Sequence, residues 1–547
     1  MTPVSNVAPL PAGSYGKQYE DLFPADAAIP SYDPQRFSLI IGLAQDVGGN
    51  PLSGVTVSIQ GHAEFGTAAT DIGGRFSLPL NGGATFTVVY QKAGFLTAHR
   101  QVETGWNIIA TAETPVMIVE DAAATAIAFD GNAATVFRHT SSTVSDAFGS
   151  RSLTMVFSGD NQAWVTDAQG NEQVAPQITV RATEFTTPES MPAKLPPTSA
   201  FTYCAELSAD GAKNVRFEKP VVVWVDNFLG FNVGEVVPVG FYDRDRAVWV
   251  PSKNGLVVRL EDTNGDGIVD AYADGQNRYP AEGLNDRDRF VPGSTFWRVE
   301  VSHFTPWDCN WPYGPPAEAI GPNPPSPPVS AIKGTECELT HLSSYVENQE
   351  CTFHEDIPLP GTDLFLHYAS NRTPGFKPRV TIPASGSSVP ASLLGIIVKM
   401  EVAGRVYEVT LQPQRNQRAE FIWDGRDYLG REVVGSARAR VRIGFEYPLV
   451  YYSGSSIFAQ AFAQPGTEAT WVQARDTIIA WQESALTLYR GKGDLAEGWT
   501  LSAHHLLNPS DPNTLHQGNG ATLRNNVRTI TTAATAAPGV DGASYFG

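Results

Sequence analysis

The stretch LEDTNGDGIVDAYADG at residues 260–275 has the side chains and the spacing of a calcium-binding loop. Such a loop takes oxygen ligands at alternating positions and needs a glycine at its sixth position for a sharp turn. The oxygen ligands at positions one, three, five, seven and nine would come from Asp262, Asn264, Asp266, the backbone carbonyl of Ile268, and Asp270. Position twelve lacks the usual bidentate glutamate, so the pattern predicts calcium binding of low affinity, as in extracellular modules.

The residues before this loop, AVWVPSKNGLVVRL, are rich in Val, Trp and Leu around an Asn-Gly turn. That composition is typical of β-strands, whereas a calcium-binding hand has a helix on each side of its loop. The alternative is therefore an acidic hairpin turn, because Asn-Gly and Asp-Gly are common turn formers. Both interpretations remain open from the sequence.

The four cysteines could also bind metal, form disulfides or react as thiols. They are Cys204, Cys309, Cys337 and Cys351. None of them forms a C-x-x-C pair, which disfavours a zinc site or a thiol redox motif. Pairing within regions predicts the disulfides Cys204–Cys309 and Cys337–Cys351, and the second would stabilise the chain by roughly 3 kcal/mol. The alternative is buried free thiols in a reducing compartment.

The motifs of common enzymes are absent from the sequence, including G-x-S-x-G, H-E-x-x-H and the phosphate-binding loop. In FHEDIP, His354 stands beside Glu355 and Asp356, and His504 stands beside His505. Neighbouring residues on a strand point to opposite faces, so His354 and Glu355 do not readily share a site. We therefore expect this chain not to be an enzyme.

An aromatic-rich stretch, STFWRVEVSHFTPWDCNWPYG, occupies residues 294–314. It could form a ligand-stacking surface or an aromatic core that closes a domain, and we favour the core. A stacking surface beside the acidic loop would suit a cell-surface carbohydrate-binding module or a glycan-acting enzyme, which is the alternative function.

The elements that position these residues are predicted to be strands. The chain has 547 residues, of which 42% are hydrophobic, 10% aromatic and only 17% charged, with 50 glycines and 40 prolines. This composition favours an all-β fold of tandem β-sandwich modules. The net charge of −19 disfavours nucleic acid as a partner. The sequence contains no run of 18 apolar residues, so no membrane span is predicted, and the first residues lack the pattern of a signal peptide.

Changes in composition divide the chain into six segments. They are an extended lead-in (1–35), a small β-sandwich (36–118), a β-rich region containing the calcium-like loop (119–312), a proline-rich linker (313–330), a third β-domain (331–525) and an irregular tail (526–547).

The first sandwich contains GNPLSGVTVSI, then ATDIGGRFSL, then VVYQKAGFLTAHR. In this order the three segments resemble the carboxypeptidase regulatory-like, or transthyretin-like, domain. The resemblance implies a non-catalytic spacer or adhesion module.

Longer segments resemble bacterial RHS-repeat, teneurin-like proteins. They are SHFTPWDCNWPYGPP, IPLPGTDLFLHYASNRTPGFKP, FIWDGRDYLGREV and LAEGWTLSAHHLLNPSDPNTLHQGNG. The resemblance implies that the third β-domain is a fibronectin-plug-like domain, which closes one end of a β-shell built from tyrosine-aspartate repeats. The shell can enclose a toxin or present an adhesion surface.

This chain departs from that pattern because DYLGR occurs once, at residues 427–431, and a repeat array needs several copies. We therefore expect the region ahead of the shell, with a shell in cis or encoded adjacently as its partner. The expected location is secreted or at the cell surface, as part of a longer protein.

Overall fold

The computed structural model describes most of the chain. The described residues are 6–196, 199, 201–275, 278–279, 281, 283–311, 313–322, 330–331, 353–373, 377, 379–433, 435–451, 471–490, 495–507, 514–518 and 522–524. The tail at 526–547, Cys337 and Cys351 lie outside the described residues.

Residues 6–118 form a β-sandwich preceded by a short 3-10 helix. Its elements are η1 (Tyr15–Leu22), β1 (Phe37–Leu43), β2 (Thr56–Ile59), η2 (Ala63–Phe65), β3 (Ala68–Ala69), β4 (Arg75–Asn81), β5 (Ala84–Gln91), β6 (Ala98–Thr104) and β7 (Ile109–Thr111). One sheet has the order β4-β1-β7 and the other β3-β2-β5-β6. Alternating apolar residues of both sheets fill the space between them, as in GVTVSI, where Val55, Val57 and Ile59 are buried.

The prediction of an extended lead-in was wrong. Residues 15–22 form the helix η1, and Tyr19 and Tyr32 are each 1% exposed within the core of the first sandwich. Their rings surround Phe37, with ring centroids 6.2 Å and 5.7 Å from its ring. The sequence lacks helical or strand periodicity here because single aromatic side chains, and not a repeating face, fix the segment in place.

The second region is a larger sandwich. Its elements are β8 (Thr125–Ala128), β9 (Val136–Thr140), β10 (Val144–Asp146), β11 (Gly149–Arg151), β12 (Leu153–Ser158), β13 (Ala163–Thr166), β14 (Glu172–Ala175), β15 (Gln177–Phe185), η3 (Pro188–Ser190), β16 (Tyr203–Ala209), β17 (Asn214–Asp226), β18 (Val236–Val237), β19 (Val239–Asp243), β20 (Val248–Pro251), β21 (Gly255–Glu261), β22 (Asp270–Tyr272), β23 (Arg278–Tyr279), β24 (Thr295–Phe304) and β25 (Pro306–Cys309). A ten-stranded sheet centred on β17 and β24 faces a six-stranded sheet of order β20-β19-β25-β16-β15-β8. The main core lies between these two sheets.

The third region contains a further sandwich and several small sheets. Its elements are β26 (Tyr313–Gly314), β27 (Ser330–Ala331), β28 (His354–Pro358), β29 (Phe365–Ala369), η4 (Ser370–Arg372), β30 (Arg379–Pro383), β31 (Gly395–Val402), β32 (Arg405–Leu411), β33 (Arg418–Ile422), β34 (Gly435–Pro448), β35 (Val450–Tyr451), β36 (Trp471–Gln473), β37 (Thr477–Arg490), β38 (Trp499–Leu501), β39 (Leu506–Leu507), β40 (Thr514–His516) and β41 (Thr522–Arg524). A five-stranded sheet, β32-β31-β34-β37-β36, shares a core with the sheet β27-β30-β33. The all-β fold of tandem sandwiches is confirmed.

The third region is joined to the first by the DYLGR turn. Asp427 is fully buried, and its Oδ2 accepts a hydrogen bond of 3.0 Å from the hydroxyl of Tyr19 in η1. Its Oδ1 accepts the backbone N–H groups of Leu429 and Arg431 at 2.9 and 2.8 Å. Arg431 in turn lies 2.7 Å from the carboxylate of Asp21. The single repeat-like motif therefore anchors the lead-in.

A buried charge network joins the third region to the second. Arg475 is 4% exposed, and its guanidinium donates to the carbonyl of Thr202 and to Asp146, each at 3.0 Å. Arg151 binds the same Asp146 at 2.7 Å and Glu184 at 2.8 Å. The hydrogen bonds from Arg151 lower the pKa of Asp146 to about 2. Arg475 also lies 3.6 Å from Glu184, so both acids of the network are shared by arginines from different regions.

The first residues of the predicted proline-rich linker pack against the third region. Tyr313 and Ala319 border its core, and the hydroxyl of Tyr447 donates 2.7 Å to the carbonyl of Ile320. Residues 323–329 lie outside the described residues. Among the described residues, no helix has the length and apolar character needed to cross a membrane.

Candidate functional site

Two of the family-like segments of the sequence meet in one small sheet. IPLPGTDLFLHYAS supplies part of β28 and all of β29, and GWTL supplies β38, which pairs with β29. The β28–β29 turn is closed by a hydrogen bond of 2.9 Å from the N–H of Leu359 to the carbonyl of Leu364. We call the sheet β28-β29-β38 the aromatic sheet. Residues more than 130 positions apart in sequence are therefore brought together, since Leu366 pairs with Leu501.

One face of the aromatic sheet is half-exposed and apolar except for Glu355, which lies opposite Tyr368 in the register. The cross-strand register places Ile357, Leu366 and Leu501 in one row and Tyr368 beside Trp499 in the next. The rings of Tyr368 and Trp499 lie 5.2 Å apart, a distance at which aromatic pairs stabilise each other. Phe353 extends this row, with its ring 6.1 Å from that of Tyr368 and half of its side chain exposed.

The turn before β38 lets this aromatic pair form. Gly498 has a φ of +84°, and a Cβ at that position would lie 2.4 Å from the ring of Tyr368. Only glycine combines this backbone conformation with so close an approach. The EGW sequence therefore fixes Trp499 beside Tyr368.

The opposite face of the sheet is polar. His367 is 5% exposed, and its Nδ1 lies 2.6 Å from Oδ1 of Asp356, which is directly opposite in the register. Its Nε2 lies 2.9 Å from Oγ of Ser502, one residue beyond β38. Arg372 is also buried, and its guanidinium donates a hydrogen bond of 3.2 Å to the carbonyl of His367. These contacts fix the imidazole between a carboxylate and a hydroxyl.

Sequence reasoning missed this constellation. Asp356 was considered only with its neighbours His354 and Glu355, which alternate across the strand. The signal that could have found it is the pairing of two segments that resemble one family, since His367 lies in the first, Asp356 stands directly before it and Ser502 lies in the second.

The calcium-like loop connects β21 and β22, two paired strands, as its flanks predicted. Asp262 accepts the backbone N–H groups of Gly265 and Gly267 at 2.8 and 2.9 Å, which is the hydrogen bonding of an acidic turn. Asp266 accepts the N–H of Ile268 at 2.7 Å, and the side chain of Ile268 is 59% exposed.

The remaining acid of the loop has a different partner. Asp270 lies 2.6 Å from Arg278, and it accepts a hydrogen bond from Thr263 at 3.0 Å. Asn264 donates 2.8 Å to Asp266. In the described parts of the chain, no group of three His, Cys, Asp or Glu side chains has a geometry that could hold a metal ion. Calcium binding at this loop stays a prediction.

The disulfide Cys204–Cys309 is not formed, and both cysteines are buried free thiols. They lie on the adjacent strands β16 and β25, where Cys309 is opposite Tyr203 and Cys204 is opposite Asp308. Side chains alternate between the faces of a sheet, so Cys309 points into the main sandwich core while Cys204 joins a separate cluster with Phe201. Burial raises the pKa of both thiols. The predicted pairing fails because the two residues are one position out of register.

The aromatic stretch at 294–314 forms a core, as favoured from the sequence. Phe296, Trp297 and Trp311 are each no more than 1% exposed, and Trp297 and Trp311 lie 4.6 Å apart. These side chains are therefore not available to stack on a sugar, and the observation that motivated the carbohydrate alternative no longer supports it.

Comparisons with known proteins give the family relationship. The teneurin TTR-like domain family matches residues 32–117. Teneurin-1 of Homo sapiens is 28% identical over 209 residues, which are 37% of this chain and 6% of that protein. Teneurin-3 of Danio rerio is 27% identical over 168 residues, which are 30% of this chain and 5% of that protein. The chain thus matches only a small part of the length of these relatives.

Among solved structures, the major pilin subunit BcpA of Bacillus cereus aligns with 74% of this chain and 87% of its own, at 10% identity. Its TM-score of 0.13 carries no argument about the fold. The relationship rests on the teneurin matches: the chain is teneurin-like and carries a transthyretin-like module near its N-terminal end.

Proposed function

We propose that this chain is a structural and interaction region of a longer, secreted or cell-surface teneurin-like protein, in which the third region caps a β-shell. The shell would be built from tyrosine-aspartate repeats, in cis or in an adjacently encoded chain. The transthyretin-like module supports the structural role in general, because it is the part of the chain with a family match.

The observation that carries the capping role is the apolar face of the aromatic sheet. Among the described residues, the hydrophobic cores include neither Tyr368 nor Trp499, nor the row Ile357, Leu366 and Leu501. Burying one large apolar side chain completely stabilises a contact by about 1.5–3 kcal/mol. An apolar shell mouth placed over this face would supply such burial.

The capping role is best tested on the full chain. The DYLGR turn and Arg475 hold the third region to the first and second, so excising residues 331–525 would leave Asp427 and Arg475 without their partners. Aggregation of that fragment would then result from these broken contacts, and it would not show that the third region lacks a shell to cover it.

We expect the full chain to co-purify with a co-expressed tyrosine-aspartate-repeat shell from a bacterial teneurin-like protein. The double variant Tyr368→Ala/Trp499→Ala should reduce the recovered complex at least about tenfold, since each side chain contributes about 1.5 kcal/mol or more when covered. The matched control is Trp164→Ala, which removes a half-buried tryptophan stacked on Arg216 in the second region. Equal recovery of the double variant and the control would refute capping through the aromatic sheet.

A further inference from the structure

The polar face of the aromatic sheet holds an aspartate, a histidine and a serine in series. Asp356 lies 2.6 Å from Nδ1 of His367, and Oγ of Ser502 lies 2.9 Å from Nε2. The three side chains come from β28, β29 and the residue after β38, and backbone pairing fixes their order. The backbone N–H of Ser502 donates a hydrogen bond of 3.0 Å to the carbonyl of Phe365, which also holds the serine in position.

The carboxylate sets the tautomer of the imidazole. An ionised carboxylate can only accept, so the proton of neutral His367 is held on Nδ1 and the lone pair of Nε2 faces Ser502. The hydroxyl of Ser502 has a second acceptor in the carbonyl of Phe365, but that contact is longer, at 3.2 Å. A base positioned in this way can remove the proton of a serine nucleophile.

A backbone amide favours the ionised form of the same serine. The N–H of Phe365 donates to Oγ of Ser502 at 2.9 Å. A donor aimed at an oxygen that gains negative charge stabilises it. Ser502 therefore has a general base on one side and a hydrogen-bond donor on the other.

The serine lies at an accessible end of the sheet. Ser502 is half-buried, the neighbouring Phe365 is 42% exposed, and the side chain of Asp356 is 64% exposed. An open position beside an exposed aromatic ring suits a small activated acyl group better than a substrate that needs an enclosing pocket.

We infer that Ser502 is a reactive nucleophile with His367 as its base and Asp356 as the residue that orients the base, and that it accepts acyl groups from small activated esters. Oγ of Ser502 attacks the ester carbonyl carbon and its proton passes to Nε2 of His367. The bond to the leaving oxygen then breaks, and that oxygen takes the proton from His367. The products are an O-acyl serine and the free alcohol, so no oxidant or further reactant is required.

The test uses diisopropyl fluorophosphate on the full chain, followed by peptide mass spectrometry. Attack forms a bond from Oγ to phosphorus and expels fluoride, while the proton passes to His367. We expect the diisopropylphosphoryl adduct on Ser502. We also expect His367→Gln and Asp356→Asn each to slow labelling at least tenfold, because general-base catalysis contributes about 10²–10⁴-fold.

Ser302 provides an internal control in the same sample. Its Oγ lies 3.2 Å from Nδ1 of His303, so it is a serine–histidine pair in which the serine faces the other ring nitrogen. No adduct on Ser502, or labelling no faster than on Ser302, would overturn the inference. Unchanged labelling in Asp356→Asn would overturn it as well. That variant alters an exposed side chain, so it remains decisive even if His367→Gln fails to fold.

Discussion

The transthyretin-like module and the aromatic sheet place their apolar side chains in opposite ways. In the module, Leu78 and Val88, one from each of its two sheets, are fully enclosed. In the aromatic sheet, His367 on one face is 5% exposed, while the aromatic pair Tyr368 and Trp499 on the other face stays half-exposed. A sheet is stable when its apolar face is covered. The module covers these residues with its own two sheets, whereas Tyr368 and Trp499 belong to none of the cores formed by the described residues.

The largest effect is expected at Phe37, whose ring is enclosed where the module packs against the lead-in. Phe37→Ala should lower the free energy of unfolding by about 3–5 kcal/mol, because a fully buried ring is removed and its aromatic neighbours are left around a cavity. Denaturant unfolding of the full chain, followed by tryptophan fluorescence and circular dichroism, measures the change.

The matched control in the module is Ile72→Ala, which truncates a side chain that is 96% exposed. We expect a change within about 0.5 kcal/mol. Comparable losses for the two variants would contradict the enclosed core described for this module.

A second effect, dependent on pH, is expected where the module meets the second region. His99 is 5% exposed, its backbone N–H donates to the carbonyl of Pro192, and its Nδ1 lies 2.9 Å from the hydroxyl of Tyr242. Burial, together with the nearby positive charges of Arg244 and Arg100, lowers the pKa of His99 to about 4.

The direction of the pH effect follows from proton binding. Between the unfolded pKa of about 6.5 and the folded value, the unfolded chain binds a proton that the folded chain does not. Stability is therefore complete above about pH 6.5 and falls as the pH drops toward 4, by up to about 3 kcal/mol. Unfolding measured between pH 4 and 7 should show this slope, and His99→Gln should flatten it. An equal slope in the variant would show that His99 is not the group that titrates.

The difference between the module and the aromatic sheet also explains which parts of the structure could be predicted from the sequence. The strands of the module alternate apolar and polar residues within single segments, so their core could be read from GVTVSI and ATFTVVY. Cross-strand partners carry no such local signal. The register that separates Cys204 from Cys309, and the one that joins Asp356 to His367, depend on which strands pair and at which residue. A shift of one position reverses the face of every side chain, so pairs of this kind could not be derived from spacing.

The anchoring of the lead-in shows the same limit. The sequence of the lead-in shows only isolated aromatic residues, and the DYLGR motif occurs as a single repeat. Their meeting, in which Tyr19 donates to Asp427 across 408 positions of the chain, satisfies an oxygen of a fully buried carboxylate. Local propensity does not encode such a contact, because one partner lies in a short 3-10 helix and the other in a turn of a distant segment.

The smallest effect is expected at the exposed face of the aromatic sheet. Trp499→Ala should lower the free energy of unfolding of the full chain by about 1 kcal/mol or less, because the side chain is only half-buried and belongs to none of the cores formed by the described residues. The matched control is Trp297→Ala, which removes a fully buried tryptophan and should cost about 3–5 kcal/mol. A loss above about 2 kcal/mol for Trp499→Ala would mean that the face is already covered within this chain, and it would remove the basis for a partner there. A small loss together with failed recovery of the shell complex would place the contribution of Trp499 in binding, because the variant would then weaken the complex without weakening the fold.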